Sequence, residues 1–207
     1  MPHDPNKTLI YHITNVANLP AILADDGLNS DAVMAKRQPN VVIGYDHIKL
    51  RRLKEIPMPC CGWRYVGEFV PFYFCPRSPM LFTVNKGNTG HASGCQKDIV
   101  HLVSTVAAGI ATCQAWAVSS GNAGARHTTF SAKLEALDTL DWAAIRATQW
   151  QGKQHQKMAE FLVADFFPWS AIQGIGCQNS VTAARVSAIL TGAKHQPPIE
   201  VKTGWYY

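Results

Sequence analysis

Charge is what this chain has least of. Only 16% of its 207 residues are charged, and nearly half are apolar. That composition excludes a disordered chain and suits a single domain, residues 1–207, with a sizeable core. No basic-then-apolar leader is present, since Met1-Pro2-His3-Asp4-Pro5 is polar and turn-prone. No apolar run approaches the length of a membrane span, so a cytoplasmic protein is expected. Internal repeats and low-complexity tracts are lacking too. Cysteine is too scattered for a disulfide scaffold: Cys60, Cys61, Cys75, Cys95, Cys113 and Cys177 are read as reduced thiols. His91 and Cys95 stand four apart with no second pair at zinc-like spacing, so no metal site is expected. Nineteen basic against fourteen acidic residues leave +5, an excess that permits nucleic-acid binding and equally fits a mildly basic enzyme.

The most informative stretch is Val70-Pro71-Phe72-Tyr73-Phe74-Cys75-Pro76-Arg77-Ser78-Pro79-Met80-Leu81. Its first half is an apolar, aromatic run that reads as a buried strand. Pro76 and Pro79 then fix their own φ and disfavour helix just before them. Arg77 and Ser78 are thereby held extended or turned, where a guanidinium could meet a phosphate or a base. A Pro-rich turn with a solvated Arg77 is the plainer alternative.

Elsewhere, Thr8–Ile13 reads as a strand. Asn15 can cap a short helix burying Val16, Leu19, Ile22 and Leu23, with Gly27 at its C-cap. A helix is expected from His47 to Lys54, a loop over 57–68, strands over 69–75, 98–104 and 113–118, and a loop over 119–127. Helices are expected at 130–138 and 141–148, and a loop or frayed helix start at 151–157. Phe161–Phe167 could be strand or helix. Ile172–Cys177 reads as strand, Val181–Leu190 as amphipathic helix and Ile199–Lys202 as a last strand. Without regular βαβ alternation, the pattern argues α+β with mainly antiparallel pairing.

Several residues could carry chemistry. Glu160 follows a polar loop and precedes the apolar run Phe161-Leu162-Val163. A charge at the mouth of a buried element is paired or functional, unless it is simply a solvated end. Arg51 and Arg52 are adjacent and would point about 100° apart on a helix, so only one can face a given ligand. His12 sits in a strand, where a histidine is more often a hydrogen-bonded core residue than a ligand contact. Trp150, His155 and Lys157 precede Glu160 and combine aromatic and cationic side chains, the two means of holding single-stranded nucleic acid; a packed Trp150 is the structural alternative.

The Val70–Leu81 segment resembles the core signature of the DarT toxins, bacterial ADP-ribosyltransferases that modify single-stranded DNA. Other pieces resemble the family in the same order: Tyr11-His12-Ile13-Thr14, Arg51-Arg52 after Tyr45-Asp46-His47-Ile48, His101-Leu102-Val103-Ser104, Gly121-Asn122-Ala123, Leu140-Asp141-Trp142, Ala159–Val163 and Gly204-Trp205-Tyr206-Tyr207. The resemblance implies an ADP-ribosyltransferase fold, with split antiparallel β-sheets, flanking helices and an NAD cleft. It implies transfer of ADP-ribose from NAD to a base, thymidine, in single-stranded DNA. Glu160 would be the catalytic carboxylate and Arg52 the essential arginine. His12, Ile13, Thr14, Leu28 and Arg52 would contact NAD. Tyr73, Arg77, Ser78, Met80, Asn122, Trp150, His155 and Lys157 would contact DNA. A DarG-like macrodomain antitoxin is the implied partner of a monomeric toxin. Two departures stand out: Met158 occupies a position where many ADP-ribosyltransferases carry Gln or Glu, and Asn122 stands where some DarT members carry His. The alternatives are a same-fold enzyme acting on RNA, 2′-phosphotransferase-like, and a non-catalytic nucleic-acid-binding module.

Overall fold

The computed structural model describes residues 2–37, 46–88 and 92–207. Tyr45 and His91, named above, lie outside them. Strands β1 (Leu9–Asn15), β2 (Gly27–Asn29), β3 (Pro57–Met58), β4 (Arg64–Tyr65), β5 (Phe69–Tyr73), β6 (Ile99–Thr105), β7 (Trp116–Asn122), β8 (Phe130–Ser131), β9 (Ala159–Ala164), β10 (Phe166–Pro168), β11 (Gly174–Cys177) and β12 (Ile199–Val201) alternate with short helices. Those that shape the cleft are α1 (Leu19–Ala24), α2 (Asp31–Met34), α3 (Asp46–Lys54) and α4 (Pro79–Asn85).

Eight strands form one sheet in the order β12-β11-β6-β1-β5-β9-β7-β8. Only β11 and β12 pair parallel within it. Every residue of β6 and β9 is buried, the pattern of strands covered on both faces. β1 pairs along its whole length with β6, yet meets β5 at a single register pair, Tyr11 opposite Tyr73. The sheet is thus two four-stranded halves joined at one point, the split implied by the resemblance. Pro71 helps to make the split: it has no backbone N–H for a ladder, and its carbonyl accepts from the His12 ring instead, 2.9 Å away.

The two faces differ. One carries the main core, including Ile10, Phe72, Leu102, Val118, Phe161 and Val163. The other carries two smaller clusters. Ile13, Leu81, Val84, Ile99 and Tyr206 lie under α4 on one half. Ile56, Met58, Val66, Phe69, Ala117 and Leu162 lie on the other. Tyr73 and Glu160, directly opposed on β5 and β9, share this second face.

Several local expectations change. Gly27 does not cap α1; Asp25 does, Asp26 takes the left-handed φ of 57°, and Gly27 opens β2. The 57–68 loop contains the β3–β4 hairpin. β7 runs on to Asn122 through an irregularity after Val118, into a segment expected as loop. Phe130–Ser131 is strand, and the following helix is limited to Ala136–Thr139. Phe161–Phe167 resolves into two strands broken at Asp165, which has φ 61°.

Candidate active site

Glu160 is the second residue of β9 and 1% exposed. It was expected at the mouth of a buried element; it is instead inside a central strand, flanked by β5 and β7. An ionised carboxylate there needs partners. Arg52 supplies them: Nη1 donates to Oε1 at 3.2 Å and to Oε2 at 3.0 Å, and Nη2 donates to Oε2 at 3.0 Å. The backbone N–H of Ala123 donates to Oε1 at 3.1 Å. Ser119 fixes the strand itself, its Oγ accepting from the Glu160 N–H at 2.8 Å and donating to the Gly121 carbonyl at 2.6 Å.

The geometry separates the two arginines of α3. Arg52 turns inward, 8% exposed, onto Glu160. Arg51 donates to the Gly124 carbonyl, bracing the 122–129 loop from behind. Burial works to lower the Arg52 guanidinium, but Glu160, helped by Asp31 and Tyr73, holds it above its ordinary value. Burial first, then the Glu160 charge, pushes the Tyr73 phenol far up, so it stays protonated.

The residues expected to meet NAD gather at the split. His12 points to the main-core face, packed edge-on to Phe72 at 5.7 Å between ring centroids. Burial lowers its pKa against the hydrogen bond to Pro71, which leaves the ring neutral. Since a carbonyl can only accept, Nδ1 carries the proton and Nε2 keeps a lone pair. Ile13 and Thr14 are buried, and past Tyr11 the β5-facing edge of β1 has no ladder partner. Leu28 lies in the main core, paired with Phe167 across β2 and β10, so its side chain is packed inside the fold. Two buried polar atoms lack a partner here, Ser30 Oγ and Arg52 Nε. An unpaired edge, a lone pair and orphaned polar atoms suit a polar ligand such as a dinucleotide.

The residues expected to meet DNA divide in two. Arg77 lies over the Tyr207 ring, its Cζ 4.5 Å from the centroid, with Nε buried and unpartnered. The Tyr207 hydroxyl donates toward the Arg77 and Ser78 carbonyls and accepts from Trp150 Nε1 at 3.1 Å. Phe82 packs edge-on to both Trp150 and Tyr207. The result is a cation–aromatic ledge beside the cleft, with Met80 half-buried below it. Asn122 uses Oδ1 to accept from the Gly124 N–H at 2.8 Å, shaping the loop that holds Glu160. His155 packs at a tilt against His127, ring centroids 4.2 Å apart, and any side chain on Gly121 would run into its ring.

Two of the residues expected to contact DNA have their polar atoms engaged inside the fold. Ser78 is buried and caps α4, accepting from the Leu81 N–H at 3.2 Å. Lys157 is 2% exposed and donates to the Ile145 carbonyl at 2.8 Å, so its charge never reaches solvent. Sequence reading missed Asp31, Ser119, Tyr207 and the Ala123 amide. Asp31 pairs with Lys49 at 3.7 Å, and its field reaches both His12 and Arg52. Tyr207 stood within a quoted motif; a backbone amide leaves no sequence signal at all.

A family model described as ssDNA thymidine ADP-ribosyltransferase, DarT, matches residues 11–207. This chain belongs to the DarT family. A DNA ADP-ribosyl transferase of Thermus aquaticus is 38% identical over 205 residues, covering 98% of this chain and 90% of the relative. The structure of the Thermus sp. 2.9 DarT in complex with ADP-ribosylated ssDNA superposes with a TM-score of 0.90 at 32% identity, over 100% of both chains. The same DarT in complex with NAD+ gives 0.87, again over 100% of both. DarT membership brings the activity, NAD-dependent ADP-ribosyl transfer to single-stranded DNA, and NAD as its substrate. Among the described residues no helix is long and apolar enough to cross a membrane.

Proposed function

We propose that Glu160 and Arg52 carry ADP-ribose transfer from NAD to the thymine base of a single-stranded DNA, and that NAD lies in the split between β1 and β5. The observation that carries this reading is the buried Arg52–Glu160 pair, with both carboxylate oxygens held at the end of the cleft. Breaking the nicotinamide–ribose bond sends its electron pair to nicotinamide and leaves an oxocarbenium-like ribose, which a fixed carboxylate stabilises. Glu160 is fully engaged in the free protein, so a ribose hydroxyl joins it by displacing one Arg52 N–H. That N–H then turns toward the acceptor. The thymine N–H must lose its proton as the new C–N bond forms. Arg52, held above its ordinary pKa, cannot take it. Its role is to stabilise the deprotonated base while water accepts the proton.

The Arg77–Tyr207–Trp150 ledge supports a stacked, unpaired strand, and a duplex would hide the target base. A DarG-like macrodomain antitoxin that removes the modification is the proposed partner. Oligonucleotides of differing base content, incubated with NAD and analysed by mass, test the reading. Adducts are expected on single strands that contain thymine. Adducts on guanine-only strands would overturn the thymidine assignment, and adducts on RNA alone would favour the RNA-modifying alternative.

A further inference from the structure

A groove of about 830 Å³ lies outside the cleft, walled by Ile56, Pro57, Pro59, Cys60 and Phe130, with Arg126 at its rim. It does not include Glu160, but it shares that residue's sheet face. Ser119 beside Glu160 is paired with Phe130, and Ala117, Leu162 and Ile56 form the cluster beneath. In sheet order β5-β9-β7-β8 the groove sits at the β8 edge, two strand spacings or roughly 10 Å beyond Glu160. The Arg77–Tyr207 ledge sits over the cluster that includes Ile13 and Ile99, on the β1–β6 half. A strand that crosses the ledge, places one base at Glu160 and continues in the same direction reaches the groove.

The rim is built to receive it. Arg126, with 81% of its side chain exposed, makes a single 3.4 Å contact to Glu55, a surface pair easily exchanged for a phosphate. The adjoining β3–β4 hairpin carries Trp63 at its tip, 68% exposed and at φ 64°. Gly62 and Trp63 both take the left-handed conformation there, as a tight hairpin turn requires, and that turn holds the large indole open to water. Apolar walls, an exposed indole on the adjoining hairpin and a surface arginine whose pairing with Glu55 is weak are the ingredients of a base-stacking subsite.

We infer that this groove, with Trp63 and Arg126, binds a nucleotide of the substrate strand flanking the modified thymidine, so that affinity depends on strand length on one side of the target only. The inference rests on the DNA reading above. Its test compares three single-stranded oligonucleotides with one thymidine each: a short one, one extended on the 5′ side and one extended on the 3′ side. Transfer to the short oligonucleotide by the wild type tests the parent reading. The length effect tests this one. Wild type should show a lower KM for one of the two extensions. Trp63→Ala and Arg126→Ala should each raise KM for that extension by roughly tenfold, the worth of a stacked base or a phosphate contact, and leave the short substrate unchanged. Cys60→Trp, which fills the groove, should act alike. Anisotropy of the same labelled strands on Glu160→Gln protein gives binding without transfer. Equal effects of the variants on short and extended strands, or no effect on either, would overturn the subsite.

Discussion

The two faces of the main sheet use the same strands for opposite ends. On β9, Phe161 and Val163 point into a continuous core of large apolar side chains. Glu160 and Leu162 point the other way, where two small clusters leave a polar gap between them. The first face stabilises the fold; the second gives up core for a carboxylate that must be neutralised by Arg52. Neighbouring residues of one strand should therefore fail in different ways. Glu160→Gln, which keeps volume but turns one of the two acceptor oxygens into an NH2 facing donors, should lower transfer by at least about 10³-fold, the usual worth of such electrostatic placement. Its melting temperature should fall too, though less than for a truncation, because the buried Arg52 charge loses its counter-charge while the side-chain volume is kept. Glu160→Ala should be as inactive and also less stable by about 3–5 kcal/mol, because the Arg52 charge is left buried and unpaired. Mass analysis of oligonucleotides with parallel thermal melts decides it; residual transfer within about tenfold of wild type would remove Glu160 from the chemistry.

Phe161→Ala should invert that outcome. Phe161 is fully buried and stacks on Trp116 at 5.7 Å. Truncation should cost about 3–5 kcal/mol of stability. Activity per folded molecule, measured well below the melting temperature, should be nearly unchanged. A variant that melts normally yet transfers nothing would show that the faces are not separable.

The same contrast can be drawn within α3. Arg52→Lys keeps a charge but loses the planar fork that spans both Glu160 oxygens, so transfer should fall by about tenfold or more. Arg51→Ala loses only a bond to the Gly124 carbonyl and should act more weakly, through the loop. A larger effect at Arg51 would reassign the pair.

His101 supplies a pH handle on the turn that presents Arg77. Its ring is fully buried, and Nε2 lies 2.8 Å from the Pro76 carbonyl. Burial lowers its pKa from 6.5 to about 4, against that hydrogen bond. The unfolded chain therefore binds the proton more readily. The stability due to neutral His101 is complete above pH 6.5 and is lost as pH falls toward 4, on the order of 3 kcal/mol in all. Thermal melts across this window should show the loss, and His101→Gln should flatten it; parallel pH curves for the two proteins would exclude His101 as the source.

Much of this was legible in the sequence, for reasons that differ by residue. β5 and β6 are largely apolar on both faces, so their strand character showed without help from partners, whereas β9 stood open between strand and helix until its pairing with β5 and β7 decided it. α3 kept its expected end before Pro57. Glu160 was visible as a charge beside an apolar run, and Arg52 through the family resemblance, as one of two adjacent arginines. Their 3.0 Å meeting was not, because 108 residues separate them and only the sheet order brings β9 under α3. Lys157 misled for the same reason: a lysine in a polar loop gives no sign that a distant carbonyl at Ile145 will bury it. Ser78 misled differently. Its place before Pro79 marked a turn, and the helix that the turn begins claimed the hydroxyl.

The smallest expected effect concerns the ledge, where the polar face meets solvent. Arg77 is stacked on Tyr207 and bonded to nothing through Nε, so its free N–H groups are available to a phosphate. A single phosphate contact releases about one counterion, which for a single strand lowers the slope of log affinity against log salt by about 0.7. Arg77→Gln should remove that increment while binding at low salt weakens by only about 1 kcal/mol. Phe161→Ala, folded at low temperature, should leave the slope alone, since it changes the other face. Titrations of a thymine-containing oligonucleotide at several salt concentrations measure both. An unchanged slope in Arg77→Gln would mean that the guanidinium serves Tyr207 and the turn, and that the ledge binds bases through its aromatic rings alone.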